Sequence, residues 1–210
     1  MRILELLIGT TNRAKQRSLN QIVSALPIKV LLPHQVSGLP QTIIEEEQDS
    51  HLGNAREKAL VWSRSFHGLT VSTDGGLLIP GLGQNWNSLT TKRFAGDAAG
   101  DPERIKMLFD LLKEHSNGDR RAQFVEAAAI ANDGHLVGSW EAVSAMGWLN
   151  EGYEQDQIVD EFWISAIWSF PTLGKNYHAL SSEERMLLDD PWMSLKPHIQ
   201  NAIISLLNKP

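Results

Sequence analysis

The chain has 210 residues, a formal net charge of −6 and no cysteine. The negative charge argues against nucleic-acid partners, which need a basic surface, and the lack of cysteine excludes disulfides, thiol nucleophiles and thiolate metal sites. The N-terminal residues lack the pattern of a signal peptide and no apolar run is long enough to span a bilayer, so we expect a cytoplasmic protein with no membrane partner. The length suits one large domain or two lobes around a shared core.

The N-terminal stretch predicts an anion site. A buried strand is expected at residues 3–8, Gly9 tolerates the backbone angles of a sharp turn, and a helix is expected at residues 13–25. Between strand and helix lie three residues of the types that cap helices, namely Thr10, Thr11 and Asn12. Backbone N–H groups and the helix dipole favour an anion here, and Lys15 adds a positive charge. The alternative is an ordinary capped strand–turn–helix, and the spacing is not that of a P-loop.

The rest of the chain alternates between strand and helix patterns. Strands are predicted at residues 29–32, 69–73 and 120–131, with a hairpin partner at 135–149 and a strand or strand pair at 158–168. Helices are predicted at residues 51–66, 101–115 and 191–207, with a short helix from Ser181.

Two acidic sites stand out. Glu46 lies in a run of three glutamates, which is usually a solvated surface but here follows two isoleucines that favour a strand end. Asp74 follows the predicted strand at residues 69–73 and precedes Gly75, where α/β proteins tend to hold metal ligands and catalytic groups. The alternative for Asp74 is a simple Asp-Gly turn.

In this order, the motifs resemble those of the inosine triphosphate pyrophosphatase family, enzymes that hydrolyse non-standard purine nucleoside triphosphates. The resemblance covers residues 3–150 well and the remainder poorly. It rests on six features: the phosphate loop at residues 10–15, Glu46, and the segments at residues 54–59, 72–77, 91–94 and 120–125.

Several family positions are changed. Thr73 replaces the first aspartate of an Asp-Asp pair, and Gly53 replaces a glutamate before Asn54. The base-binding turn and the C-terminal base-recognition motif are missing, and the corresponding residues lie near 160–164 and 189–192. Lys175 matches a family lysine whose neighbouring glutamate is absent.

The resemblance implies an α/β fold in which a mixed β-sheet is flanked by helices, with two lobes and a central cleft, over a single domain of residues 1–210. It also implies a homodimer that is a metal-dependent nucleoside triphosphate pyrophosphohydrolase, cleaving its substrate to monophosphate and pyrophosphate with Mg²⁺. Glu46 and Asp74 would bind the metal and, with Lys15, act in catalysis. The substrate-binding residues would be Thr10, Thr11, Asn12, Lys15, Lys58, Gly75, Arg93, Trp163 and Lys175.

Other interpretations stay open at this point. A nucleotide-binding or regulatory protein could keep the fold and lose catalysis, as the changes at Thr73 and Gly53 would allow. A septum-inhibitor-type nucleotide pyrophosphatase is less favoured because of Asn12 and Lys15, and an assembly protein could use the tryptophan-rich half as an interface. Trp163 could stack on a base, and Asp189 or Asp190 could accept hydrogen bonds from the edge of that base. The alternative is that Trp163 lies in the core and that both aspartates are solvated.

Overall fold

The computed structural model describes residues 3–39, 48–159 and 161–208, and it confirms the predicted α/β fold with a mixed sheet and flanking helices. The helices are α1 (Arg13–Val23), α2 (His51–Phe66), α3 (Asp101–His115), α4 (Ser182–Leu187) and α5 (Pro191–Leu207). The strands are β1 (Leu4–Ile8), β2 (Ile28–Leu31), β3 (Leu69–Leu78), β4 (Arg121–Asn132), β5 (His135–Val143), β6 (Gly147–Leu149), β7 (Trp168–Phe170) and β8 (Lys175–Asn176).

The chain forms two compact units. The first unit contains the residues up to Asp74, Glu126–Ala142 and the residues from Pro191 onward, and the second unit contains Gly75–Val125 and Val143–Asp190. Strands β3 and β4 contribute residues to both units, and within these two strands the chain passes from one unit to the other at Asp74 and Glu126.

The first unit has a sheet that is covered on both faces. Its strand order is β2-β1-β3-β4 with β5 beside β4, and β1 runs parallel to β2 and β3. Along β4, Ala128 and Ile130 pack with α1 and α5, whereas Ala127 and Ala129 pack with Ala55 of α2. Alternation between two buried faces explains why β4 is apolar over nearly its whole length.

The second unit is built around aromatic side chains. The first residues of β4 pair with β6, and β7 and β8 extend this antiparallel set. Its core contains apolar residues of α3 together with two buried tryptophans, Trp163 and Trp168. None of the described helices is long and apolar enough to cross a bilayer.

Three predicted elements are wrong in their limits. Strand β3 runs on to Leu78, so Asp74 lies within a strand and not at its end. The predicted partner at residues 135–149 is two strands, because the Ser144 hydroxyl accepts a hydrogen bond from the Phe124 backbone N–H at 3.0 Å and interrupts the ladder. Residues 158–168 form one isolated bridge and a 3-10 turn at Trp163–Ala166 before β7, since the consecutive buried residues there have no strand period.

Candidate functional site

The predicted phosphate loop caps the start of α1, and hydrogen bonds fix the residues that lead into the helix. The Asn12 side chain caps α1 by accepting a hydrogen bond from the Lys15 backbone N–H at 2.8 Å. The Asn12 backbone N–H donates to Thr10 Oγ1 at 3.2 Å, and the Gln16 side-chain amide donates to the Thr10 carbonyl at 2.8 Å. Thr11 is exposed. The loop is therefore held in one shape by its own side chains.

Gly9 is needed for close packing and not for an unusual backbone angle. It is not among the residues with positive φ, so the sequence-based reason for this glycine is wrong. A Cβ at Gly9 would lie 2.5 Å from Ser72 Oγ, 2.8 Å from Trp62 and 2.9 Å from Thr70. Ser72 Oγ also donates to the Gly9 carbonyl at 2.9 Å. The loop thus lies directly against β3 and α2.

One face of α2 surrounds the Asp74 carboxylate. His51, Asn54 and Lys58 are spaced three and four residues apart, which puts them on the same side of a helix. His51 Nδ1 donates to Asp74 Oδ2 at 2.6 Å, and Lys58 Nζ donates to Oδ1 at 2.7 Å. The Asn54 amide lies 3.4 Å from Oδ2. Asp74 is 5% exposed, so both of its oxygens are engaged within the protein.

The surroundings of Asp74 keep it ionised. Burial alone raises the pKa of this carboxyl, but the hydrogen bond from His51 and the positive charges of Lys15 and Lys58 lower it by more. The net effect is a pKa well below the ordinary value. Asp74 is therefore a fixed negative charge at neutral pH.

A second buried ion pair lies beside the phosphate loop. Lys15 Nζ donates to Glu126 Oε1 at 2.9 Å, and the Glu126 side chain is 1% exposed. The other oxygen, Oε2, is buried and has no hydrogen-bond partner among the described residues. Buried polar atoms in proteins are nearly always paired, so the unpaired oxygen needs an explanation.

Four effects determine the pKa of the Glu126 carboxyl. Burial raises the pKa of this carboxyl and is the largest effect, followed by Lys15, which lowers it. The negative charge of Asp74 raises the pKa, and the nearby Thr73 hydroxyl lowers it. The resulting pKa is above the ordinary value. A further positive charge near Glu126 would favour its ionised form.

Three of the predicted site residues thus come together in the first unit. The amines of Lys15 and Lys58 are directed at buried carboxylates, and both lysines act on the pKa of Asp74. Glu46, the predicted metal ligand, lies outside the described residues. Its role therefore stays a prediction.

The remaining predicted site residues belong to the second unit. Gly75 is partly exposed on β3, and Arg93 is partly buried in the turn that follows Thr90. Lys175 Nζ donates to Glu184 of α4 at 2.6 Å. Their substrate-binding roles stay predictions.

The three residues that were expected to contact the base differ in their surroundings. Trp163 is 4% exposed and lies 6.0 Å from Phe94 between ring centroids, which favours the core interpretation of this tryptophan. Asp190 is 2% exposed and accepts a hydrogen bond from the Tyr177 hydroxyl at 2.5 Å, so the expectation that it is solvated is wrong. Asp189 is exposed, as expected.

Sequence reasoning missed two residues of this site. The sequence patterns predict His51 only as the first residue of a helix, and Glu126 is not among the predicted site residues. The signal for Glu126 was present, since it is the one charged residue between Phe124 and Ala131 in a run that reads as a buried strand. A charge in such a position is rare unless it is paired. His51 precedes Asn54 and Lys58 at helical spacing, which gives a weaker signal.

Comparisons with known proteins identify the family to which the chain belongs. A model of the Ham1 family matches residues 6–148. A dITP/XTP pyrophosphatase from Anaeromyxobacter dehalogenans is 29% identical over 163 residues, which are 65% of this chain and 68% of that protein. One from Oceanobacillus iheyensis is 27% identical over 132 residues, which are 62% of this chain and 65% of that protein. The chain thus spans about two thirds of the length of these relatives.

The fold also matches that of a solved HAM1 protein. The structure of a HAM1 protein from Coxiella burnetii matches with a TM-score of 0.77 at 21% identity, covering 95% of this chain and all of that one. Because the family model matches more than half of the chain, the resemblance drawn from the motifs is confirmed. This protein belongs to the Ham1 family, the family of the inosine triphosphate pyrophosphatases.

Proposed function

We propose that the protein is a nucleoside triphosphate pyrophosphohydrolase that converts its substrate to a nucleoside monophosphate and pyrophosphate. The observation that carries this proposal is the arrangement of Lys15 and Lys58 on two buried carboxylates, next to a capped helix N-terminus. The relatives that are named dITP/XTP pyrophosphatases support the same reaction.

The two ion pairs suit the binding of a triphosphate. Each lysine is a strong partner for phosphate oxygens, and in the free protein each one is neutralised by a carboxylate, Lys15 by Glu126 and Lys58 by Asp74. When phosphate groups bind, the lysines exchange carboxylate for phosphate. The helix start at Asn12 adds backbone N–H groups and the positive end of a dipole.

The donors fit the Mg²⁺ that the family resemblance implies. Mg²⁺ prefers oxygen ligands, keeps several waters and is commonly held by one or two carboxylates together with substrate phosphates. Asp74 is ionised, and Glu126 has a buried oxygen without a partner. The described residues contain no group of three His, Cys, Asp or Glu side chains that could hold a metal by themselves, which suits a cation that arrives with the nucleotide. When bound, Mg²⁺ would neutralise charge on the reacting phosphate.

Asp74 acts through its charge in this proposal. A carboxylate whose pKa lies far below neutral pH is a weak general base. Its fixed position on β3, held by His51 and Lys58, instead orients a ligand or a water molecule at the α-phosphorus. Glu46 would supply a further carboxylate. Lys15 and Lys58 hold the β- and γ-phosphates.

A substrate panel tests the proposal. Purified protein with Mg²⁺ is given ITP, dITP, XTP, GTP, ATP and UTP, and both pyrophosphate and orthophosphate are measured. We expect pyrophosphate and monophosphate in equal amounts, with a preference among the purines, and loss of turnover with EDTA. Orthophosphate as the main product would contradict the proposal.

The impaired-enzyme alternative is supported by Thr73 and Gly53, which replace two family acids. It makes a different prediction in the same panel. A binding or regulatory protein would bind one of the nucleotides in a calorimeter and release no pyrophosphate. Turnover above the rate of a heat-inactivated sample excludes this alternative.

We also propose that the protein is a cytoplasmic homodimer, as the family resemblance implies. Exposed apolar side chains on β5, at Leu136 and Val137, support an interface in the first unit. Light scattering after size-exclusion chromatography should give a mass of twice the 23.4 kDa of the chain. A monomer mass at all concentrations would contradict dimerisation.

A further inference from the structure

The two ion pairs of the site differ in what remains when the lysine leaves. Asp74 pairs with Lys58 through Oδ1, and its Oδ2 also accepts a hydrogen bond from His51 at 2.6 Å. Glu126 pairs with Lys15 through Oε1 at 2.9 Å, and its Oε2 has no hydrogen-bond partner among the described residues. Lys58 can therefore move to a phosphate group at a lower cost than Lys15 can.

Burial makes the pair of Lys15 and Glu126 hard to break. The side chain of Lys15 is 18% exposed and that of Glu126 is 1% exposed, so water reaches the lysine but hardly the carboxylate. Removing one partner of a buried ion pair is strongly destabilising, because the other charge stays buried and unpaired. When Lys15 moves to a phosphate group, Glu126 is left in that position and attracts the ammonium back.

Thr73 is a polar neighbour of Glu126 that could replace Lys15 only in part. Val71 of β3 and Ala128 of β4 pack in the same apolar cluster, and strand alternation puts Thr73 and Glu126 on that face of the sheet as well. The Thr73 hydroxyl is buried and has no hydrogen-bond partner in the described part of the chain. A hydroxyl is a neutral donor, and its hydrogen bond to a carboxylate is weaker than that of an ammonium. The carboxylate therefore loses stabilisation whenever Lys15 leaves.

We propose that Glu126 limits the affinity of the site for phosphate groups, because it competes for the ammonium of Lys15 and draws it back as pyrophosphate leaves. Glu126 is then a positioning residue that acts through Lys15. Product release limits the turnover of many enzymes, so a competing carboxylate favours turnover at the expense of affinity. The inference rests on the proposed function for the identity of the anion, but it concerns binding and can be tested without turnover.

The test is calorimetric titration of the nucleotide-free protein with inorganic pyrophosphate and Mg²⁺. In Glu126→Gln the side chain keeps its size and an oxygen acceptor for Lys15 but loses the negative charge. We expect pyrophosphate to bind about tenfold to a hundredfold more tightly than to the wild type, in line with the loss of one competing charged hydrogen bond. Glu5→Gln is the matched control, because Glu5 accepts from Lys29 at 2.8 Å in an exposed ion pair. This control should leave the affinity unchanged.

The direction of the change separates this role from a structural one. If Glu126 only supported the fold, removing its charge would weaken pyrophosphate binding or leave it unchanged. In a Lys15→Met background, Glu126→Gln should have a much smaller effect, since no ammonium is left to compete for. Equal or weaker binding by Glu126→Gln would overturn the inference, and so would the same gain in the absence of Lys15. Failure of both the wild type and Glu126→Gln to bind pyrophosphate at millimolar concentrations would also overturn it.

A second variant covers a failure to fold. If circular dichroism shows that Glu126→Gln is unfolded, Glu126→Asp is titrated in its place, since it withdraws the carboxylate from Lys15 by one methylene. Tighter pyrophosphate binding by Glu126→Asp supports the inference, and equal or weaker binding overturns it. Release of pyrophosphate from nucleotides by the wild type is assayed separately, so a failure of the proposed function is distinguished from a failure of the competition for Lys15.

Discussion

Lys58 Nζ lies 2.7 Å from Asp74 Oδ1, on the opposite side of the carboxylate from His51, whose Nδ1 lies 2.6 Å from Oδ2. The two donors stand two helical turns apart on α2, so a single helix face fixes both oxygens of the acid. This arrangement keeps Asp74 charged and immobile before any ligand binds. It also means that α2 is a functional element as well as a packing element.

Removing the charge of Asp74 should abolish most of the activity. In Asp74→Asn we expect the turnover number to fall by about 10²–10³-fold, the range for loss of one electrostatic element at a reacting centre. Asp133→Asn is the control, because Asp133 is exposed in the β4–β5 turn and its φ of 47° suits asparagine. Wild-type turnover by Asp74→Asn would show that the role assigned to this acid is wrong.

Lys58 should affect substrate binding through its charge. In Lys58→Met the phosphates lose a partner and Asp74 loses its ion pair, so we expect KM to rise about tenfold or more, in line with the loss of a charged hydrogen bond. Lys29→Met removes an exposed ion pair with Glu5 and should leave KM unchanged. Steady-state kinetics with ITP compare the two variants, and equal KM values in both would remove Lys58 from the site.

The stability of the metal-free protein should depend on pH through Asp74. Its pKa is lowered on folding from an unfolded value of about 3.9, so the stabilisation is complete above that pH and is lost as the pH falls toward the folded value. We expect Asp74→Asn to be less stable than the wild type by about 3 kcal/mol at neutral pH, with the difference shrinking below about pH 4. Urea unfolding in the presence of EDTA measures it. A difference that does not change between neutral pH and pH 3 would be inconsistent with this ion-pair account.

Gly9 should tolerate no side chain. In Gly9→Ala the new methyl group would meet Ser72, Trp62 and Thr70 at less than 3.0 Å, so we expect a loss of about 1–3 kcal/mol in the free energy of unfolding. Gly152→Ala is the matched control, because a Cβ at Gly152 meets nothing within 4 Å and its φ is not positive. Thermal unfolding of both variants tests the prediction, and similar melting temperatures would refute close packing as the reason for Gly9.

Regular, strongly patterned elements could be predicted from the sequence. The helix expected at residues 51–66 is α2 with the same limits, because Ser50 caps its start and an apolar stripe defines its face. The helix at residues 191–207 is also found with its limits unchanged as α5, and Pro197 lies within it without ending it. By contrast, residues 158–168 have many aromatic residues but no period, so composition alone suggested a strand where a 3-10 turn forms.

The site could be predicted only in part, because some of its contacts join distant segments. The family motifs predict that Lys58 and Asp74 belong to one site, although not that they pair, and local chemistry predicts the cap at Asn12. The pairing of Lys15 with Glu126 spans 111 positions and depends on which face of β4 the glutamate occupies. A one-residue change of register would have moved that side chain to the α2 face. Sequence pattern could therefore indicate that Glu126 is unusual, but not which cation it meets.

The central claim is that Lys15 and Lys58 hold the outer phosphates so that water attacks the α-phosphorus. The most direct measurement is hydrolysis of ITP in ¹⁸O-labelled water, with mass spectrometry of both products. The account predicts one ¹⁸O atom in the inosine monophosphate and none in the pyrophosphate. Label in the pyrophosphate, or release of labelled orthophosphate in its place, would contradict it.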